Sequence, residues 1–540
     1  MPHLASAQSP PSLTVLTSLT DSSPDALWTR RFAWLLAGVL VFRLGFMLFF
    51  TSQADLAGDE AYYWDWGRRL DWGYFSKPPM IGWLMGLIGR LTGDAEWGIR
   101  LAPLLFGTAT LATLFTLSRR LFGSATAFLA ALLILFTPGN IGLNLFFTID
   151  APLLFFWSLA LLLFWLAMEK PACLWRWAAL TLTIGLGTLS KQMMLVFPLL
   201  MVVFAILSRQ DRSLLRNPRL WLTVILGTGF ITPVLWWNTQ HDWITLEHTK
   251  HHFQGDKLDF VGWLGRTLQY PALQTLVYSP FTFAGLMTVL FLSVKSCRSL
   301  DRRSHYLLLC SVPALLAILG LSLRQEINPN WPAVFYVPAF ILLAAWLTGK
   351  LPFLAHPFWK TWPLRVGIAF FVLAHLAVGA VLLTDLKGHK KLKKLHEMCG
   401  WTETGRQAGQ FLDRVPRPQN TFVLTSNLRT DAAQLAFTMP QHPRVYRWER
   451  SGQVLSQYEV WPGPEERLGD DALIFQNGRE KPGNVFPAIS TCFEKVEFLG
   501  QVNVTLGKGD PRIFDVFLGH KLHKWVKPGK APATPTAPVP

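Results

Sequence analysis

Long apolar runs separated by short polar loops dominate the first 385 or so residues of the chain. A helix needs roughly 20 mostly apolar residues to cross a bilayer, and about eleven stretches approach or reach that length. They lie near residues 32–50, 98–118, 122–137, 151–168, 174–189, 192–208, 219–237, 271–294, 305–323, 331–348 and 363–384. Because some could be split and others missed, we predict a polytopic α-helical domain over residues 31–384 with about 11 to 13 transmembrane helices.

The loops between these runs alternate in charge. Cationic loops tend to remain in the cytoplasm, so the intervening loops, beginning with 51–97, are predicted to face the periplasmic side. Residues 1–30 then form a cytoplasmic arm, and an odd number of spans places everything after residue 385 outside. The basic run from Lys387 to Lys394 is the one local conflict with this topology. The cationic loops contain Arg119 and Arg120, Lys170 and Arg176, Arg209 to Arg219, Lys295 to Arg303, and Lys350 to Arg365.

After about residue 385 the pattern changes from long apolar runs to short segments typical of strands. These segments are TFVLTS, RVYRW, QYEVW, ALIFQ, KVEFLGQVNV and RIFDVFLGH. A helical pattern at 430–438 lies between the first two. We therefore predict a small periplasmic α/β domain over residues 395–525. Residues 526–540, rich in Pro and Ala, are predicted to be disordered.

Composition agrees with a membrane protein and excludes two other classes. Of 540 residues, 51% are hydrophobic and only 16% are charged, with 24 Trp and 39 Phe, which is too apolar for an ordinary soluble enzyme. The formal net charge of +16 resides mostly in the loops assigned to the cytoplasm. No compact basic domain suggests nucleic-acid binding.

The first polar loop brings acids, aromatic residues and a cation together in the segment GDEAYYWDWGRRLDWGYFSKPPMIGW. Asp59 and Glu60 fall at the predicted start of a short helix whose aromatic residues favour a lipid–water interface. Lys77 precedes two prolines that cannot continue a helix, so its ammonium is held at a turn. A carboxylate that removes a proton and a lysine that binds a phosphate predict an active site here. The alternative is an amphipathic helix with solvated acids.

Other polar residues are predicted at the same side of the membrane. Arg100 enters the next span, where it should meet an acid or a phosphate, or extend to the nearby surface. Asp150 begins a helix and could cap it or serve the site. Lys191 could reach a phosphate or be an ordinary loop lysine. Arg324 could bind oxyanions or pair with Glu326. The candidate donor-phosphate and substrate-binding residues are Tyr63, Lys77, Arg100, Asp150, Lys191 and Arg324.

Histidine and cysteine positions raise two further possibilities. His248, His251 and His252 lie in the polar loop 238–270 and could ligate a metal, but their spacing matches no defined zinc signature. A solvated loop that covers the substrate is favoured, so no metal ligands are assigned. Cys399 and Cys492 alone fall in the C-terminal domain, where an oxidising compartment would permit a disulfide between them; two free thiols are the alternative.

Several short motifs resemble the protein O-mannosyltransferase superfamily, especially its bacterial branch that includes lipid A aminoarabinose transferases. They are the Asp59-Glu60 pair after the first span, YFSKPPM at 74–80, TIDAP at 148–152, PNWP at 329–332 and QYEVW at 457–461. The resemblance implies a GT-C fold, a polyprenyl-phosphate sugar donor, and an active site that the aspartate corresponding to Asp150 faces. The helix after the acid pair is less polar here, which leaves a different sugar or acceptor open.

The resulting hypothesis is an inverting glycosyltransferase in the bacterial inner membrane, working at its periplasmic face. It would move a sugar from undecaprenyl phosphate to a lipid-linked or secreted acceptor, as in lipid A or protein glycosylation. Asp59 would deprotonate the acceptor, Glu60 would orient or support it, and Lys77 would neutralise the phosphate. No cofactor is required, although a divalent metal stays open. The rival hypothesis is a polytopic lipid or sugar transporter or flippase.

Overall fold

The computed structural model describes residues 23–252, 258–352, 354, 361–384, 389–478, 483–507 and 509–525. Most of the predicted N-terminal arm and the whole predicted disordered tail, 526–540, lie outside the described residues, as does part of the Lys387–Lys394 run. The first helix begins at Pro24, with Ser23 accepting a hydrogen bond as its N-cap. Helical structure therefore starts earlier than the predicted boundary at residue 31.

The described part of residues 23–384 is almost entirely helical. The helices are α1 (Pro24–Gln53), α2 (Gly58–Gly67), α3 (Met80–Thr92), α4 (Glu96–Phe122), α5 (Ser124–Leu135), α6 (Pro138–Leu145), α7 (Asp150–Glu169), α8 (Leu174–Ser190), α9 (Val196–Leu207), α10 (Pro218–Gly229), α11 (Thr232–Thr239), α12 (Ile244–His252), α13 (Phe260–Tyr278), α14 (Pro280–Lys295), α15 (Arg302–Leu309), α16 (Val312–Ser322), α17 (Ala333–Leu347) and α18 (Trp362–Leu382).

This domain has the character of a polytopic membrane protein, as predicted. Among the described residues, 6 helices are long and apolar enough to span a membrane, or up to 8 if two bent pairs count as spans. The α5–α6 pair bends by 76° and the α13–α14 pair by 111°. Each predicted apolar stretch coincides with a helix or a helix pair. The number of spans is 8 and not 11 because α8, the helical segment 192–207 and α17 have fewer than 18 residues, and it falls to 6 when the two bent pairs are left out.

Helix α17 lies at the centre of the membrane domain. It is apolar on every side, and nearly all of its residues are buried, which is expected for a helix that has no polar face. Its residues share the main hydrophobic core with α4, α5, α7 and α9. By contrast, only 11% of the apolar window of α1 and 6% of that of α18 is buried, so these two helices lie at the periphery.

The C-terminal part folds into the predicted small α/β domain. Its helices are α19 (Lys393–Glu397), α20 (Trp401–Arg414), α21 (Arg429–Thr438), α22 (Gln457–Val460) and α23 (Pro487–Ser490). Its strands are β1 (Thr421–Thr425), β2 (Val445–Arg447), β3 (Asp471–Asn477), β4 (Phe493–Val504) and β5 (Arg512–Leu522). The sheet order is β2-β1-β3-β5-β4. Strands β2, β1 and β3 are parallel, while β5 runs antiparallel to both β3 and β4.

Two predictions for this domain were wrong. The QYEVW segment is not a strand: it forms α22, because the Ser456 side chain accepts a hydrogen bond from the Tyr458 N–H and starts a helical turn. The disulfide proposed for Cys399 and Cys492 is also not formed. The two thiols lie in separate hydrophobic clusters, one containing Trp401 and the other Phe422, and each is directed to a carbonyl oxygen four residues earlier.

The C-terminal domain packs directly on the first polar loop of the membrane domain. The Gln457 N–H donates to the Tyr62 hydroxyl at 2.5 Å, and its side-chain oxygen accepts from the Phe75 N–H at 2.6 Å. The Tyr458 hydroxyl donates to Asp65 at 2.8 Å. Side chains of α2, α20 and α21 share one hydrophobic cluster. The loop and the domain are therefore one packed unit at this end of the helix bundle.

Candidate functional site

The two acids at the start of α2 have different environments. Successive residues of an α-helix project about 100° apart, so Asp59 and Glu60 cannot face the same way. The Asp59 side chain is 54% exposed, whereas Glu60 is fully buried. The Glu60 carboxylate accepts from the Ala57 and Phe147 N–H groups, each at 2.9 Å. Burial raises the Glu60 pKa despite these bonds. Asp59 alone of the pair faces the open site.

Lys77 is held at the predicted turn. The backbone groups of Tyr74 and Lys77 bond reciprocally, with N···O distances of 3.1 and 3.3 Å. Burial lowers the pKa of Lys77 to about 8, and the positive charge of Lys191 contributes in the same direction. The charges of Asp150 and Asp59 oppose this shift. Lys77 is thus a partly desolvated ammonium, close enough to Asp59, Asp150 and Lys191 for their charges to affect its pKa.

Asp150, Lys191 and Asn330 form a polar group at the end of the membrane helices. The Lys191 ammonium lies 2.8 Å from Oδ1 of Asp150, and the Asn330 amide donates to Oδ2 at 2.6 Å. The side chains of Asp150 and Lys191 are only 6% and 12% exposed. The structure therefore joins two predicted substrate-binding residues to the PNWP motif, which supplies Asn330.

An apolar cavity of about 320 Å³ adjoins this polar group in the membrane domain. Its walls come from α4, α6, α7, α13 and α17, with Leu111, Leu143, Leu154 and Val337 among the apolar side chains. Thr148, Asp150 and Asn330 also line it. The cavity is therefore suited to a hydrocarbon chain that ends in a charged or polar head.

Sequence reasoning missed one residue of the site, Arg429. It is the first residue of α21 in the C-terminal domain. Its guanidinium lies 3.6 Å from Oδ1 of Asp59 and 5.2 Å from the centroid of the Tyr62 ring. The neighbouring Tyr63 is buried, and that burial, aided by the negative charge of Asp59, raises its pKa. Nothing in the local pattern around Arg429 separates it from the many other surface arginines.

Two predicted substrate-binding residues do not join the group. Arg100 is buried and donates to the carbonyl oxygens of Ala54 and Asp55, at 3.0 and 2.6 Å. Its guanidinium also lies 3.9 Å from Glu96, so it meets an acid, as one of its predicted alternatives required, and secures the end of α1. Its role in substrate binding stays a prediction. The Arg324 side chain is exposed. Its alternative partner Glu326 accepts a hydrogen bond from Gln269 at 3.2 Å.

The histidine-containing segment packs beside the site, and its role as a cover for the substrate stays a prediction. The His248 ring lies 4.7 Å from the Phe75 ring, and the Thr245 hydroxyl donates to the Tyr74 carbonyl oxygen at 3.1 Å. Helix α12 is thereby attached to the turn that carries Lys77. The side chains of His251 and His252, on which the metal alternative depends, lie outside the described residues.

Comparison with known proteins gives consistent matches. A family model described as dolichyl-phosphate-mannose-protein mannosyltransferase matches residues 76–237. The chain is 29% identical over 417 residues to lipid A galacturonosyltransferase RgtD of Rhizobium johnstonii, covering 76% of this chain and 83% of that protein. It is also 29% identical over 144 residues to the undecaprenyl phosphate-alpha-4-amino-4-deoxy-L-arabinose arabinosyl transferase of Pseudomonas paraeruginosa, covering 26% of each.

A solved structure shares the whole architecture. ArnT from Cupriavidus metallidurans bound to undecaprenyl phosphate superposes with a TM-score of 0.61 at 17% sequence identity. The superposition covers 91% of this chain and 98% of that one. The apo state of the same protein gives a TM-score of 0.59. The fold, including the small domain on the helix bundle, is thus that of a known membrane protein.

Proposed function

We propose that the chain is a GT-C membrane glycosyltransferase, similar in sequence to the mannosyltransferase family model and in fold to ArnT, and that it glycosylates a lipid-linked acceptor. The donor is a sugar carried on a polyprenyl phosphate, of the undecaprenyl phosphate class. The reaction takes place at the periplasmic face of the bacterial inner membrane. The relative named as a lipid A galacturonosyltransferase supports lipid A as the acceptor.

The observation that carries this proposal is the apolar cavity with its charged end. Its walls fit an isoprenoid chain, because they offer hydrocarbon side chains in place of lipid tails. At its polar end Asp150 holds the Lys191 ammonium, and Lys77 lies close enough for both charges to shift its pKa. A phosphate attached to the chain would reach these cations while the chain stayed in the cavity. An apolar site for the tail and a cationic site for the head together specify a lipid phosphate.

Asp59 is suited to be the base of the reaction. It is the exposed acid at the site, and it would accept the proton of the acceptor hydroxyl. The hydroxyl oxygen then attacks the anomeric carbon as the bond from that carbon to the phosphate oxygen breaks. The bonding electrons leave with the polyprenyl phosphate, so one displacement inverts the anomeric configuration. Lys77 stabilises the negative charge that develops on the phosphate, and no general acid is required.

Glu60 acts as a positioning residue. Its carboxylate joins the chain before α2 to the segment before α7 through the Ala57 and Phe147 N–H groups. These bonds orient the helix that presents Asp59, and they connect it to the segment leading to Asp150. Of the two adjacent acids, Asp59 thus takes part in the reaction and Glu60 fixes the position of α2.

The proposal is tested by transfer from a panel of radiolabelled undecaprenyl-phosphate sugars to lipid A in detergent, with no ion gradient imposed. Wild type should transfer at least one sugar. Asp59→Asn should lose activity by about 10²- to 10⁴-fold, the usual contribution of a general base, while keeping its melting temperature. Glu326→Gln, which changes an exposed acid bonded to Gln269, should behave as wild type.

Two results would overturn this assignment. Full activity in a folded Asp59→Asn protein would reject Asp59 as the base. Failure of every donor with wild type, together with donor movement across vesicles, would favour the transporter alternative.

A further inference from the structure

The mouth of the site contains one cation that the proposed phosphate site does not use. Lys77 and Lys191 are the two cations proposed to bind the phosphate, and Lys191 is also paired with Asp150. Arg429 adds a third positive charge, and it comes from a different domain. The separation of 3.6 Å between Arg429 and Asp59 is an ion-pair contact but too long for a hydrogen bond. This leaves the donors of the Arg429 guanidinium available to another acceptor.

The Arg429 side chain is positioned before any substrate arrives. Its guanidinium lies over the Tyr62 ring, and Tyr62 is fixed because its hydroxyl accepts from the Gln457 N–H. Gly58 also allows α2 and α21 to approach closely, since a Cβ atom there would lie only 2.7 Å from Cγ2 of Thr430. Arg429 is nonetheless 38% exposed. A fixed but accessible guanidinium suits bidentate binding of an oxyanion.

We propose that Arg429 forms a second anion subsite, separate from the phosphate site at Lys77. Its ligand is a carboxylate or phosphate group carried by the transferred sugar or by the acceptor lipid. This inference rests on the proposed function. An anion bound at Arg429 also competes with Asp59 for the guanidinium, so the Asp59 carboxylate becomes available to the acceptor hydroxyl. The C-terminal domain thereby couples recognition of a charged substrate to release of the base.

The experiment compares Arg429→Gln with wild type on substrates that differ in a single charge. The donors are undecaprenyl phosphate carrying glucuronate or glucose, and the acceptors are lipid A with and without its phosphates. Donor and acceptor affinities are measured by tryptophan fluorescence, so the subsite is tested even without turnover. Arg406→Gln is the matched control, because Arg406 is an exposed arginine of the same domain, paired with Glu403 on α20.

Loss of a charged hydrogen-bonding partner should weaken binding by about tenfold or more. If the loss is confined to the glucuronate donor, the anion belongs to the sugar; if it is confined to the phosphorylated acceptor, the anion belongs to the lipid. Arg429→Lys should bind better than Arg429→Gln but less well than wild type, because it keeps the positive charge and lacks the planar guanidinium. Equal losses with charged and neutral substrates, or no loss with any, would overturn the subsite. Complete inactivity of wild type with retained charge-dependent binding would instead contradict the proposed function.

Discussion

The ammonium of Lys191 lies 2.8 Å from the carboxylate of Asp150, and this nearly buried ion pair joins the start of α7 to the end of α8. Removal of one member of a buried pair leaves an unbalanced charge, which typically costs about 3–5 kcal/mol. We expect Asp150→Asn and Lys191→Met each to lower the melting temperature in detergent. The double variant should lose less than the sum of the two.

The exposed Glu403–Arg406 pair provides the control for this comparison of single and double variants. Exposed pairs contribute only about 0–1 kcal/mol, so Glu403→Gln with Arg406→Gln should give additive changes close to zero. Strict additivity at Asp150 and Lys191 would show that these charges are not coupled.

Donor binding should weaken as the pH rises through about 8, because burial lowers the Lys77 pKa to about 8 and only the protonated amine attracts the phosphate. We expect kcat/KM for the donor, which reports on ionisations of the free enzyme, to fall above that pH. Lys77→Arg should move this fall beyond the accessible range, because arginine remains protonated. A profile that stays flat to pH 9.5 in wild type would contradict a phosphate-binding role for Lys77.

Substitution of Glu60 should mainly reduce stability, and substitution of Asp59 should mainly reduce transfer. Glu60→Gln replaces a buried carboxylate that accepts two backbone N–H bonds, which should destabilise the protein by about 1–3 kcal/mol. Asp59→Asn alters an exposed side chain and should change stability by less than about 0.5 kcal/mol, while transfer is lost. Thermal melts and transfer assays on the same preparations would separate these effects. A strong loss of stability in Asp59→Asn would contradict the assignment of Asp59 to the reaction and of Glu60 to the structure.

Filling the apolar cavity should impair use of long-chain donors. A Cβ atom on Gly142, which lines the cavity, would meet no other atom within 4 Å. Gly142→Leu should therefore fold but raise KM for the undecaprenyl donor more than for a short-chain analogue. Gly142→Ala should have little effect. Gly265→Leu on the exposed face of α13 is equally unobstructed and lies outside the cavity lining, so its KM should match wild type.

Hydrophobic patterning predicted the location of the membrane helices well, because burial in lipid depends on local composition. It did not predict the sharp bends. The break between α13 and α14 depends on Ser279, whose φ of 67° and following Pro280 interrupt an otherwise apolar run. A hydropathy pattern does not report such a backbone reversal.

The candidate site was most readily predicted where its chemistry is local in the chain. Asp59 and Lys77 stand out because acid, cation and turn fall in one loop. The burial of Glu60 depends on the distant Phe147 N–H, and the position of Arg429 depends on the docking of a separate domain. The backbone carbonyl partners of Arg100 were not predicted, because they come from the end of a different helix. These relationships arise from tertiary packing, which one sequence does not reveal.

The apolar cavity also has a kinetic consequence. Donor and spent carrier have the same isoprenoid tail and the same phosphate, and they differ only in the sugar. Under the proposed function the cavity and Lys77 would hold both, and the spent carrier should act as a competitive product inhibitor. The rate in the cell would then follow the ratio of charged to uncharged carrier in the membrane, and not the donor concentration alone.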